Sequence, residues 1–177
     1  LIMFDAAREG YGGLTACAYP ESFSKVIPSF SLWWIGMVYD YSKWRDDIDF
    51  IKTLMRGVRS VMESMLGYRN NDGLIVSPGG WDYIDWSQNP LESWHRGVAP
   101  DADTGVNSIL NWQEVYVLQM LSELEEYVGE HELSNRAKRI SEALSHAVKK
   151  TFWDEEKGMF ADDPLKINFS EHAQCMA

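Results

Sequence analysis

The sequence predicts an all-α protein, built as part of a ring of helical hairpins of the α/α toroid type. Two segments are apolar on all sides, as expected for buried helices, and each precedes an amphipathic segment with one polar face. The turns inside each pair are short, whereas the connections between pairs are long. A helical solenoid is the alternative, although its loops are usually short and regular.

The N-terminal part of the chain contains a lead-in and the first predicted hairpin. Residues 1–28 are interrupted by Gly and Pro, which predicts irregular structure with one short helix around Asp5 to Arg8. The first buried helix is predicted over Ser29–Trp44, and its amphipathic partner over Asp47–Leu66. Acidic residues at the start of the partner are expected to cap it and to favour its dipole: Asp46, Asp47 and Asp49.

A long irregular connection over residues 67–106 leads to the second predicted hairpin. Its buried helix is predicted over Asn107–Val128 and its amphipathic helix over Ser134–Thr151. A second connection, residues 152–168, precedes another helix that begins near Ser170. In a toroid the long loops meet at the N-terminal ends of the buried helices. Because loops of this length are usually functional, we expect the functional site on that face.

The composition limits the kinds of ligand that the chain can bind. The 177 residues carry a formal net charge of −11. Nucleic acid is not an expected partner, because phosphate neutralisation needs clustered Lys and Arg. No apolar run reaches the roughly 18 residues of a membrane span, so no membrane partner is expected. The four His and two Cys lack ligand spacing, which predicts no metal and no cofactor.

The segment "GGWDYIDWSQNPLESW" concentrates aromatic and acidic residues in the first long loop. Indole rings offer flat apolar platforms for the C–H faces of sugars, and carboxylates accept hydrogen bonds from hydroxyl groups. Together with residues at the starts of the buried helices, this loop predicts a cleft for a neutral glycan. Six residues are the predicted substrate-binding set: Trp33, Trp34, Trp81, Asp82, Asp85 and His172.

Structural roles compete with binding roles at several of these positions. Trp33 and Trp34 are adjacent on a helix and point about 100° apart, so at least one of them is expected in the core. Asp82 and Asp85 have an equal claim to bonding the amides of their own loop. Trp112 and Trp153, outside the predicted set, are interpreted as core residues.

Other acidic and basic residues give weaker signals for chemistry. Glu92 and His95 in "ESWHRG" are candidate acid–base groups, but no second carboxylate has a fixed spacing from either. The segment "WRDDID" lacks the last acid of a DDxxD magnesium motif, because position 50 is Phe. The catalytic residues therefore stay unassigned at this stage.

Three motifs in order, "IPSFSLWWIGMVYDY", "DGLI…WDYIDW" and "FSEHAQCMA", resemble the catalytic domain of bacterial α-L-rhamnosidases of glycoside hydrolase family 78. The likeness extends from about Pro20 to the end of the chain. It implies a six-hairpin (α/α)6 toroid and inverting release of terminal L-rhamnose by two glutamates. It also implies that Trp81, with one of Trp33 and Trp34, lines the sugar subsite and that Asp85 braces the loop.

The resemblance also implies what should lie outside this sequence. Neither glutamate motif is found, since "DAAREGYGG" lacks the Trp-containing pattern of the family's acid. We therefore expect an internal piece of one catalytic domain, with the catalytic pair elsewhere and little activity of its own. The compartment stays unknown, although the family would allow a secreted or periplasmic protein. Two alternatives remain: a non-catalytic helical scaffold, and a six-hairpin glycosidase for another sugar.

Overall fold

Two helical hairpins, α2–α3 and α4–α5, account for most of the computed structural model. The structure describes residues 1–8, 12–20, 25–87, 94–100, 102 and 105–177. The helices are α1 (Ile2–Ala7), α2 (Pro28–Arg45), α3 (Ile48–Leu66), α4 (Ser108–Val128), α5 (His131–Phe152) and α6 (Glu171–Met176). Two short strands, β1 (Trp153–Asp154) and β2 (Met159–Phe160), follow α5. The predicted all-α class is confirmed.

The first hairpin has sequence signals at both of its ends. Pro28 is the first residue of α2, where its missing N–H costs no hydrogen bond. Asp46 ends α2 in the left-handed conformation with φ 46°, and its carboxylate accepts a hydrogen bond from the Tyr127 hydroxyl at 2.9 Å. Asp47 caps α3 by accepting from Phe50 N at 3.1 Å. The turn between α2 and α3 is therefore two residues long.

The second hairpin is tighter than the sequence predicted. Gly129 ends α4 with φ 90°, and α5 begins at His131 instead of Ser134. The buried Ser134 hydroxyl lies 3.1 Å from that of Ser122 on α4, so this residue joins the two helices instead of capping one. Because a glycine can adopt the left-handed conformation without strain, only Gly129 and Glu130 are needed for the turn.

The core lies between the two hairpins, with α4 at its centre. Helix α4 packs on α2, α3 and α5, and its residues are buried on nearly every side. Helix α3 buries one stripe, from Ile51 to Met65, and leaves its other face polar. The predicted difference between all-round apolar and amphipathic helices thus corresponds to inner and outer positions. None of the helices in the described part of the chain is long and apolar enough to cross a membrane.

Each amphipathic helix is followed by a small β-hairpin, where the sequence predicted an irregular connection. After α3, Arg69 bridges Ile75 and Gly73 turns the chain with φ 83°. After α5, β1 pairs with β2, and the ring of Phe160 contacts those of Trp112 and Trp153 at 5.2 and 4.9 Å between centroids. The segments "NNDGLI" and "DEEKGMF" lie at corresponding places after the two amphipathic helices, and they therefore form similar local structures.

A partly buried ion pair connects the two hairpins on their outer side. Arg59 on α3 donates to both oxygens of Glu125 on α4, at 2.8 and 2.7 Å. The Glu125 side chain is only 2% exposed, whereas that of Arg59 is 36% exposed. Since removing the guanidinium leaves a buried carboxylate without its cation, Arg59→Met should reduce the free energy of unfolding by about 1–2 kcal/mol.

Urea unfolding followed by circular dichroism measures this effect, with Lys43→Met as the control. Lys43 also pairs with a carboxylate of α4, Glu123, but both side chains are more than half exposed. That substitution should change stability by less than about 1 kcal/mol, as is usual for a surface pair. Equal losses in the two variants would contradict the role given to the burial of Glu125.

Helix α2 exposes a stripe of large apolar side chains. Phe30, Trp33 and Met37 are 37%, 40% and 50% exposed, and Tyr116 on α4 lies beside Trp33 with ring centroids 6.4 Å apart. Exposed patches of this kind favour association. We expect the 177-residue chain to self-associate at micromolar concentration, and Met37→Lys to shift it towards monomer in light scattering. Leu165→Lys, at another exposed apolar residue, should leave the distribution unchanged.

Candidate functional site

The aromatic loop is held against a neighbouring segment and the start of α2. Ile84 N donates to Gly97 O at 2.8 Å, and Tyr83 bridges Val98. Gly97 has φ 75°, and a Cβ there would lie 2.5 Å from the Tyr83 ring, so a side chain cannot be accommodated without movement. The Ser29 hydroxyl donates to Tyr83 O at 2.6 Å. These bonds fix the part of the loop that precedes Asp85.

A cleft of about 140 Å³ opens where this loop meets the starts of α2, α4 and α6. The Gln113 side chain on its wall donates to Ser29 O at 2.8 Å and so joins α4 to α2. The lining residues are Ser29, Trp33, Ile84, Asp85, Ile109, Gln113, His172 and Met176. Three of the six predicted binding residues, Trp33, Asp85 and His172, are therefore brought together.

Asp85 and His172 form a pair across this cleft. The Nε2 atom of His172 lies 3.1 Å from Asp85 Oδ2, and Trp86 N donates to Asp85 Oδ1 at 2.7 Å. The His172 hydrogen bond, followed by that of Trp86, lowers the pKa of Asp85 below its ordinary value. Asp85 is therefore an ionised acceptor at neutral pH. Its side chain is 60% exposed and that of His172 is 31% exposed, so a ligand can reach both.

Three aromatic residues of the loop, Trp81, Tyr83 and Trp86, pack on one another. Their ring centroids lie 5.0 to 5.9 Å apart. Trp81 is held from two further directions, because Lys25 Nζ lies 3.5 Å from the centroid of its ring and its indole N–H donates to Arg96 O at 3.0 Å. Trp86, in contrast, is 68% exposed.

Trp86 is an exposed indole that the predicted binding set does not include, and it is not among the residues that line the cleft. It belongs to the same "WDYIDW" motif as Trp81. Which indole of the motif is exposed depends on contacts with Lys25 and Arg96, which are distant in sequence. Trp86 immediately follows Asp85, so its ring adds an exposed aromatic surface to the loop that lines the cleft.

Trp34 and Asp82, also in the predicted binding set, lie in the interior. Trp34 is 2% exposed and its indole N–H donates to Leu1 O at 3.3 Å. Asp82 is 4% exposed, and its carboxylate contacts the Ser77 hydroxyl, which also accepts from Gly79 N. Neither side chain lines the cleft. Both side chains are buried in this structure, and their contact with a ligand stays a prediction.

The weaker acid–base candidates do not contribute to the cleft as described. His95 is exposed on the segment that pairs with the loop, and it is not among the lining residues. Glu92 lies outside the described residues. Within the described ranges, no group of three or more His, Cys, Asp or Glu side chains could hold a metal ion.

Hairpins of buried and amphipathic helices, with a cleft at the starts of the buried ones, define part of an α/α toroid. The fold is similar to the crystal structure of a GH78 family rhamnosidase of Bacillus sp. GL1, with a TM-score of 0.77 and 21% identity over 90% of this chain. It is also similar to a rhamnosidase from Klebsiella oxytoca with rhamnose bound, with a TM-score of 0.73 and 19% identity over 93%. These likenesses confirm the predicted toroid fold.

The chain spans 15% and 30% of the lengths of these two structures. No protein-family model matches the sequence, and no curated protein sequence matches it. The relationship that the comparisons show is therefore one of fold.

Proposed function

We propose that this chain forms sugar-binding walls of a glycoside hydrolase that releases terminal L-rhamnose with inversion. The observation that carries the proposal is the cleft in which the Asp85–His172 pair lies beside Trp33, at the starts of three helices. Clefts with apolar walls and a few placed polar groups are the usual form of small-ligand sites. The fold shared with two rhamnosidases, one with rhamnose bound, supports this choice of sugar.

The chemistry of the cleft suits a neutral sugar. The ionised Asp85 accepts hydrogen bonds from hydroxyl groups, and charged acceptors form stronger hydrogen bonds than neutral ones. Trp33 and Met176 supply apolar surface for the C–H faces and the methyl group of a deoxy sugar. A carboxylate-bearing sugar is disfavoured, because Asp85 would repel it and the described residues that line the cleft include no Lys or Arg.

The acid and the base of the reaction are proposed to lie on other segments of the whole protein. Inversion needs two carboxyl groups roughly 6.5–9.5 Å apart, with room for a water molecule between them. Asp85 is the one carboxylate among the described residues that line the cleft. We therefore expect this chain to bind the sugar and to leave an aryl α-L-rhamnoside intact.

A titration with L-rhamnose, followed by NMR of the labelled chain, tests the proposal. The expected result is saturable shifts at Trp33, Asp85 and His172, with weak affinity because a monosaccharide fills one subsite. D-Glucuronate is the matched anionic control and should cause no such shifts. Saturable binding of glucuronate with none of rhamnose would favour the alternative of a six-hairpin glycosidase for another sugar. Absence of binding by every sugar tried would reject a sugar site.

A non-catalytic helical scaffold is the second candidate. The observation in its favour is the exposed stripe of Phe30, Trp33 and Met37 on α2, which could contact another protein. This reading does not explain why Asp85 and His172 meet beside the same helix. Trp33 belongs to both the exposed stripe and the cleft. The two candidate functions therefore differ in whether added sugar also shifts the NMR signals of Asp85.

A further inference from the structure

A buried carboxyl group lies behind the cleft, where β2 leads towards α6. Asp162 is 1% exposed, and its backbone N–H donates to Asn168 O at 2.7 Å. Its Oδ1 atom accepts two hydrogen bonds from Ser170, at 3.1 Å from the backbone N and 2.7 Å from the hydroxyl. Ser170 is the N-cap of α6, and its hydroxyl also accepts from Ala173 N at 3.2 Å. One carboxylate thus fixes the residue at which α6 begins.

A second residue beside the cleft, Trp94, packs on the imidazole. Trp94 is 7% exposed, and its ring lies 5.0 Å from that of His172, with 38° between the ring planes. Burial raises the pKa of Asp162 above its ordinary value, and the hydrogen bonds from Ser170 act in the opposite direction. Asp162 therefore holds the start of the helix that carries His172, and Trp94 bounds the space in which the imidazole can lie.

The position of the imidazole follows from these two constraints. His172 is the second residue of α6, so its Cα is placed by the Ser170 cap. The Trp94 ring limits rotation of its side chain on one side, and Nε2 then lies 3.1 Å from Asp85 Oδ2. Gln174 anchors α6 as well, through two hydrogen bonds to the backbone of Phe160, but it does not contact the imidazole.

We propose that Asp162 is a positioning residue for the His172–Asp85 pair. It acts through Ser170 and does not itself line the cleft. The importance of the pair for sugar binding rests on the proposed function, whereas the positioning can be measured without any sugar.

The adjacent acid, Asp163, provides a matched control. It is 2% exposed, close to the value for Asp162. Its carboxylate accepts from Ile167 N at 3.3 Å and from the backbone and side-chain amides of Asn168 at 2.8 and 3.0 Å. Asp163 therefore stabilises its own turn, and none of these hydrogen bonds involves Ser170.

The test uses the 177-residue chain and two NMR signals, the backbone N–H of Ser170 and the titration of the Asp85 carboxyl carbon. Asp162→Asn replaces the carboxyl oxygen that accepts both hydrogen bonds from Ser170 by a neutral amide oxygen, which forms weaker hydrogen bonds. We expect the Ser170 N–H signal to move upfield. The pKa of Asp85 should rise towards its ordinary value, because the His172 hydrogen bond is the largest cause of its lowering.

Asp163→Asn should lower thermal stability while leaving both signals unchanged. The proposal is overturned if Asp162→Asn folds with the wild-type Asp85 titration, or if Asp163→Asn shifts that titration equally. Should Asp162→Asn fail to fold, Ser170→Ala tests the same link. It removes the hydroxyl that donates to Asp162 and accepts from Ala173 N. An unchanged Asp85 pKa in Ser170→Ala would also overturn the proposal.

The outcomes for positioning and for sugar binding can be told apart. A raised Asp85 pKa in Asp162→Asn, in a chain whose wild type shows no rhamnose shifts, would support positioning and reject the proposed function. The opposite pattern is rhamnose binding by the wild type with an unchanged Asp85 pKa in Asp162→Asn. It would support the proposed function and reject the role of Asp162.

Discussion

Replacing Glu114 by glutamine should stabilise the protein by several kcal/mol at mildly alkaline pH. Glu114 lies in the middle of α4, is 0% exposed, and neither carboxyl oxygen has a hydrogen-bond partner among the described residues. Leu110 and Leu118, one turn away on either side, are also buried. Burial in this apolar stripe raises the pKa of Glu114 to about 8, so the folded protein keeps the acid protonated at neutral pH.

The sign of the pH dependence follows from this shift. The folded state holds the proton up to about pH 8, whereas the unfolded chain releases it near the ordinary value of 4.5. The stability that the protonated Glu114 contributes is therefore fully present below pH 4.5 and is lost as pH rises through 8. At about 1.4 kcal/mol per pH unit, the loss over this window is roughly 5 kcal/mol.

Urea unfolding of wild type and Glu114→Gln between pH 5 and pH 9 measures the effect. The amide is neutral throughout, so the difference between the two proteins should grow with pH until about pH 8. Glu123→Gln is the control on the same helix, because the pKa of Glu123 is lowered, chiefly by its hydrogen bond from Lys43. The free energy of unfolding of that variant should differ from that of wild type by a constant amount over this pH range. Parallel curves for Glu114→Gln would mean that Glu114 is charged or paired in the folded state.

Replacing the exposed indole, Trp86→Ala, should weaken rhamnoside binding by about 1–3 kcal/mol, which is roughly 5- to 150-fold, and should leave the melting temperature nearly unchanged. Trp86 is 68% exposed, so its removal opens no core cavity. If the whole protein is the proposed hydrolase, the same loss should appear in its kcat/KM when the indole contacts both ground and transition states. Calorimetry with an aryl rhamnoside and thermal unfolding form the paired measurement.

Trp81→Ala should differ by lowering stability as well as affinity. Its indole contacts Lys25, Tyr83 and Trp86 and donates to Arg96 O, so truncation removes the centre of the aromatic cluster. If Trp81→Ala keeps the wild-type melting temperature but loses affinity, while Trp86→Ala keeps full affinity, the sugar stacks on Trp81, and the interpretation of Trp86 is wrong.

The helices and their inner or outer position could be read from the sequence. Their boundaries agree to within about three residues, because apolar periodicity, caps such as Asp47 and Asn107, and the breaker Gly129 act locally. The inner helices α2 and α4 were distinguishable because a helix that packs on several neighbours needs apolar residues around its circumference. The same reasoning placed the long loops at the helix starts, where Asp85 and His172 indeed meet.

Only the tertiary structure decided which side chains face the cleft. A loop has no period that relates sequence position to direction, so Trp81 and Asp82 could not be separated from Asp85 beforehand. Their directions depend on Gly97, Arg96 and Lys25. The buried carboxyl groups Glu114 and Asp162 were equally hidden, because a carboxylate is expected at the surface and its burial results from packing between distant segments. Local signals determined the elements, and long-range contacts determined the site.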